Sequence, residues 1–205
     1  MVFNSLTFLL FFAVVFGLYW LLPGWTLRKW LLLAASYIFY GAWSPPYVFL
    51  LLASTLLDWW LARWIGRTVE PRKRRWLLVA SLAGNLSLLG YFKYGGFLLA
   101  NFAALMAAAG IDWRPADPGI LLPIGISFYT FASLSYTLDV YRGEVRHDWK
   151  LADYALFVSF FPHLVAGPIL RARSFLPQIA APRRPSANEV GWGLALVCLG
   201  LFCKV

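Results

Sequence analysis

Residues 160–173 read FFPHLVAGPILRAR, with a histidine standing between Pro162 and Pro168 inside an apolar run and two arginines closing the stretch. A neutral imidazole in such a place could accept or relay a proton near neutral pH. Each proline removes a backbone donor and disfavours helix in the residue before it. The segment 154–170 is therefore expected to be a broken or re-entrant element, with His163 at the break. Irregular backbone survives at membrane depth only where protein or a water-filled cavity surrounds it. Two readings of His163 stay open. It is a weak candidate for catalysis from a cavity wall, or its ring hydrogen-bonds a carbonyl that the break sets free, and the second carries more weight for a lone histidine.

A second chemical feature lies in GISFYTFASLSYTLD, residues 125–139. On a helix Tyr129, Thr130, Ser133, Tyr136 and Thr137 fall within about 120° of one another. The opposite arc is mostly Ile, Phe, Ala and Leu, with Ser127 and Ser135 as exceptions. Such a face could line a polar passage, which makes Tyr129, Ser133 and Tyr136 candidate substrate-binding residues. It could equally pack helix on helix, as Ser and Thr do in membranes. The third feature is Asp58 in LLDWWLARW, costly in a span unless paired or wetted. Arg63 is five residues on, so pairing or a functional role is possible, but interfacial anchoring beside Trp59, Trp60 and Trp64 is the favoured expectation. Cys198 and Cys203 have the spacing of neither a redox pair nor a zinc site, and no metal site is expected.

These residues need elements to position them. The chain has 205 residues, 61% hydrophobic and only 13% charged, against roughly a quarter charged in a soluble domain. Residues 1–27, 30–57, 94–111 and 118–138 carry no charged side chain or histidine. About 20 apolar residues in a helix cross a hydrocarbon core of about 30 Å, and in lipid only helices or closed barrels satisfy the backbone. These tracts are too long for barrel strands. The fold class is therefore all-α, a polytopic transmembrane bundle. Seven segments are expected near 5–22, 29–44, 46–62, 76–92, 95–111, 119–138 and 154–170, with an eighth from about 190. Pro45 and Pro46 should break the second from the third, and Gly95 and Gly96 should turn the chain after the fourth. The first tract lacks a basic flank and a cleavage site, so it reads as a retained helix and not a signal peptide.

The net charge of +9 is clustered. Arg28 and Lys29 follow the first segment; Arg63, Arg67, Arg72, Lys73, Arg74 and Arg75 follow the third; Arg171, Arg173, Arg183 and Arg184 follow the seventh. If every segment crosses, these loops share one side, which the positive-inside rule makes cytoplasmic. The N-terminus and the loop Asp139 to Asp153 would then face out. The run at 72–75 suits anionic headgroups better than nucleic acid, so no nucleic-acid partner is expected.

YFKYGGFLLANF (91–102), LLPIGISFYTFASLSYTLDVYRGE (121–144) and FFPHLVAGPILRARSFLPQ (160–178), with VFNSLTFLLFF and SYIFYGAW earlier, resemble the membrane-bound O-acyltransferase family, and most of all its bacterial exopolysaccharide acetylases. The resemblance implies transfer of acetyl groups in the bacterial inner membrane. Acetyl-CoA would be the donor on the cytoplasmic side; a periplasmic partner protein and a polysaccharide such as alginate would be the acceptors. Arg171 and Arg173 would stand at the cytoplasmic mouth and attract the phosphates of coenzyme A, although positive-inside anchoring explains them more simply. The family's acceptor-activating histidine lies in a later helix than FPHLVAGPI, so His163 does not inherit that role. The chain is expected to be the N-terminal part of one membrane domain, cut within an apolar segment and inactive alone. The rival class is a transporter or flippase, since these also build sites at broken helices. A remnant without function is a third possibility.

Overall fold

In the computed structural model, residues 5–111, 113, 119, 121–165, 167, 168, 170–182 and 185–204 are described. Arg183 and Arg184 of the last basic run lie outside them. So do residues 2–4 of the N-terminal motif, Ala166 and Ile169 of the proline-rich motif, and residue 120 at the start of the sixth expected span.

The described residues are helical and contain no strand. Ser5 caps α1 (Leu6–Leu21), its hydroxyl accepting from the Phe8 amide at 3.2 Å. After α2 (Trp25–Gly41) the expected proline break is present: Pro45 and Pro46 occupy the first turn of α3 (Pro45–Arg67), where a missing N–H leaves no bond unmade. Proline opens α4 (Pro71–Ala108) in the same way. Gly125 (φ 79°) and Gly143 (φ 76°) bracket α5 (Ile126–Arg142) in the left-handed conformation that side chains resist. Then come α6 (Leu151–Ser159), α7 (Phe161–Leu164), α8 (Ala172–Ala180) and α9 (Ala187–Lys204).

Helices α2, α3, α5 and α6 enclose an aromatic core of Tyr40, Tyr129, Tyr136, Tyr154 and Phe157. Long-range contacts show which ends of the helices lie together. Lys29, near the start of α2, pairs with Asp153 in the first turn of α6 at 2.6 Å. Arg74 Nη2 donates to the Tyr141 carbonyl at 2.7 Å, joining the start of α4 to the end of α5. Trp59 Nε1 donates to the Trp149 carbonyl, and Arg173 meets Glu144 at 3.6 Å. Amphipathic α8 lies across this same end, because Trp25 Nε1 reaches the Ile179 carbonyl at 2.7 Å. At the opposite end the Tyr47 hydroxyl donates to the Leu121 carbonyl at 2.6 Å.

Two expectations are overturned. Gly95 and Gly96 do not turn the chain; α4 is one helix of 38 residues, about 57 Å long, where two spans were expected. In apolar surroundings a broken turn would leave peptide groups without partners, which outweighs the modest helix penalty of two glycines. The loop after Asp139 also lies at the basic end and not opposite it, as the contacts of Tyr141, Glu144 and Trp149 require. The two miscounts offset each other. One expected crossing merges into α4, while α6 and α7 enter from the basic end and the chain returns to that end by Arg171. The described basic runs therefore still share one end of the bundle.

By length and composition two helices, α3 and α4, can cross a membrane, and α1 and residues Ala187–Gly200 are shorter apolar helices. The larger count of separate spans is not seen. Large apolar side chains cover the outside: Phe49, Phe97, Trp192 and Phe202 are all more than 60% exposed. Contiguous apolar surface on this scale belongs against lipid or another protein segment.

Candidate functional site: a buried polar seam and a broken helix

On α3 the residues Leu51, Ser54, Thr55, Asp58, Ala62 and Ile65 recur at three- and four-residue spacing and form the buried face. Asp58 is fully buried, at 0% exposure. Its Oδ1 accepts from Ser81 Oγ at 2.8 Å and from Asn85 Nδ2 at 2.7 Å, both on α4. Ser81 and Asn85 are four residues apart, so one face of α4 delivers both. Ser133 of α5 faces the carboxylate, although Oδ2 makes no hydrogen bond among the described residues. The Tyr154 hydroxyl of α6 donates to Ser133 Oγ at 3.1 Å, and its ring packs 4.6 Å from that of Tyr136. Four helices thus meet at one polar seam in the apolar core.

This corrects the reading of Asp58 as an interfacial anchor. Arg63 does not pair with it; the guanidinium lies 5.1 Å over the Trp59 ring. Trp60 and Trp64 are exposed and pack on each other at 5.5 Å, as anchoring side chains would. Asp58 projects instead from the face that meets α4 and α5.

The break at 159–164 is built from exchanged hydrogen bonds. Pro162 has no N–H, so the Val158 carbonyl loses its helical donor. The Phe161 N–H turns away from Phe157 and donates to Ser36 Oγ on α2 at 3.1 Å. The abandoned Phe157 carbonyl lies 3.2 Å from His163 Nε2. A carbonyl only accepts, so Nε2 carries the hydrogen. His163 is 8% exposed, its ring set between Phe160 and Phe175. Its Nδ1 is buried and has no hydrogen-bond partner among the described residues. Gly125 adjoins this element, because a side chain there would run into the Leu164 carbonyl.

Of the candidate residues, Ser133 and Tyr136 join the seam. Tyr129 is buried one turn away, its hydroxyl facing that of neighbouring Tyr40. His163 lies at the break as expected. Arg171 and Arg173 are not brought to the hydroxyl face; they are exposed at the basic end, with Asp139 and Glu144 nearby. Sequence reasoning missed Ser36, Ser81, Asn85 and Tyr154. The pair at 81 and 85 carried a signal, being polar residues at helical spacing in an apolar run. Ser36 and Tyr154 carried none.

An all-helical chain, sheathed in apolar side chains around a polar seam, is a membrane protein. No family model matches it, and no solved structure does. Curated relatives do. It is 43% identical over 181 residues to the probable alginate O-acetylase of Pseudomonas putida, covering 87% of this chain and 37% of that protein. The probable alginate O-acetylase of Pseudomonas aeruginosa is also 43% identical, with 87% and 34% covered. The peptidoglycan O-acetyltransferase of Helicobacter pylori is 32% identical over 206 residues, with 87% and 38% covered. Over 87% of its length the chain is thus similar to bacterial proteins named as O-acetylases and O-acetyltransferases, and it spans about a third of the length of the curated relatives it matches.

Proposed function

We propose that this chain is part of a membrane O-acetyltransferase of the bacterial inner membrane that acetylates an exopolysaccharide, alginate being the leading acceptor. The observation that carries the reading is its 43% identity, over 87% of its length, to relatives named alginate O-acetylase. The basic end faces the cytoplasm by the positive-inside rule. Helices α3 and α4 cross, the shorter α1, α2 and α5 pack alongside them in the bilayer, and α6 with α7 forms a re-entrant element from the cytoplasmic side, all within one membrane domain. Acetyl-CoA approaches at the basic end, where Arg171 and Arg173 suit its phosphates. Tyr129, Ser133 and Tyr136 belong to the inner wall of the donor passage, and His163 stands at the turn of the re-entrant element. In the reaction the thioester C–S bond breaks, an ester C–O bond forms on the acceptor hydroxyl, and the hydroxyl proton ends on the coenzyme thiol. The acetyl group reaches the glycan directly or by way of a periplasmic partner protein.

A chimera tests this. The matching third of the Pseudomonas putida relative is replaced by this chain, and alginate acetylation is measured in a strain lacking its own acetylase. Acetylated alginate is expected. A chimera that inserts in the membrane at normal abundance yet leaves alginate unacetylated overturns the reading. Cysteines introduced at positions 73 and 146 should both be labelled from the cytoplasmic side only.

A further inference from the structure

We propose that Ser36 is a positioning residue that fixes which nitrogen of His163 carries the hydrogen. Ser36 is fully buried on α2, and its own hydroxyl proton is committed to the Leu32 carbonyl at 2.7 Å. Its oxygen therefore presents only lone pairs to the interior, and the Phe161 N–H fills one of them. An unbroken helix would send that N–H to the Phe157 carbonyl four residues back. Because Ser36 holds it, the Phe157 carbonyl has one donor left, His163 Nε2–H.

The consequence falls on the other side of the ring. A neutral imidazole with its hydrogen on Nε2 has a bare lone pair on Nδ1, and here Nδ1 is buried and unpartnered among the described residues. A ring nitrogen left as an acceptor while its opposite N–H is tied to a carbonyl is oriented as a base or ligand acceptor is oriented by a third group. Ser36 thus acts through two links, from Phe161 N–H to Phe157 carbonyl to imidazole, without touching the ring. Without it, the Phe161 N–H either stays buried and unpaired or returns to Phe157 and displaces the imidazole.

Histidine-selective ¹⁵N NMR on the chain in lipid nanodiscs tests this, since the sequence holds only two histidines; His163→Gln assigns the signal. The unaltered chain is expected to show the Nε2–H form of His163 alone and a protected Phe161 amide. Ser36→Ala should give mixed tautomers and about tenfold faster exchange at Phe161, the factor expected for one lost hydrogen bond. Ser36→Thr, which keeps the accepting oxygen, should restore both. A folded Ser36→Ala chain with unchanged ring signals overturns the proposal. If that variant does not insert, the unaltered chain decides: hydrogen on Nδ1 overturns the proposal and hydrogen on Nε2 supports it. The readout is the ring itself, so its failure is separate from any failure of the acetyl-transfer reading.

Discussion

The Asp58 seam and the His163 break both bury polar groups among apolar helices, and they satisfy them by opposite means. At Asp58 regular helices stay intact, and side chains from α3, α4 and α5 converge on one carboxylate. At His163 the helix itself is opened, and two side chains, Ser36 and His163, replace what the backbone gave up. The first arrangement ties neighbouring helices together. The second shapes one element and leaves a ring nitrogen open. A seam of the first kind should therefore matter most for stability, and a break of the second kind for what the site can do.

Substitutions separate the two regions, and the largest effect is expected at the seam. Asp58→Ala takes the acceptor from the Ser81 hydroxyl and from one hydrogen of the Asn85 amide, whose nitrogen keeps only the Ser81 carbonyl, and should destabilise the chain in detergent by about 2–4 kcal/mol. An effect as small as that of an exposed α4 substitution would dissolve the seam as a stabilising feature. Next comes Gly125→Ala, where an unfavourable φ of 79° combines with contact against the Leu164 carbonyl. It should cost more than Gly143→Ala, which has a similar φ but open space, and for which about 1 kcal/mol is expected. Equal losses at the two glycines would show that α7 does not press on the start of α5.

Tyr154→Phe removes one hydroxyl from the seam while keeping the ring on Tyr136, and should cost about 0.5–1.5 kcal/mol by thermal unfolding. The smallest effect is expected outside both regions. Arg146 grips Asp148 through two hydrogen bonds and holds its carboxyl below the usual carboxylate range. Any stability from that pair is present at neutral pH and lost as acid protonates the folded-state carboxylate. Both groups are exposed and screened, so Asp148→Asn should leave the melting temperature at pH 7 unchanged. A clear drop would mean that the 143–150 loop holds the basic end together more than its exposure suggests.

Much of this was legible locally. The prolines at 45, 46 and 162 marked real interruptions because a missing N–H acts wherever it stands. The wheel of α5 placed Tyr129, Ser133 and Tyr136 on a buried face, because helical spacing is a local property. The Gly95–Gly96 pair misled for an equally physical reason: glycine permits a turn but does not require one, and α4 runs straight through it. Asp58 was drawn toward Arg63 by nearness in sequence, whereas its partners lie 23 and 27 residues away.

By itself the sequence determined that the chain is helical and suited to lipid, and where proline interrupts its helices. Composition, periodicity and proline chemistry act over a few residues and need no partner to be read. Tertiary structure alone decided that Asp58 is held by Ser81 and Asn85, that the loop after Asp139 shares the basic end, and that Ser36 meets Phe161 across 125 positions. Those outcomes depend on which helix faces lie against each other. A buried polar atom must find a partner wherever packing offers one, and nothing in its own stretch of chain says where that will be.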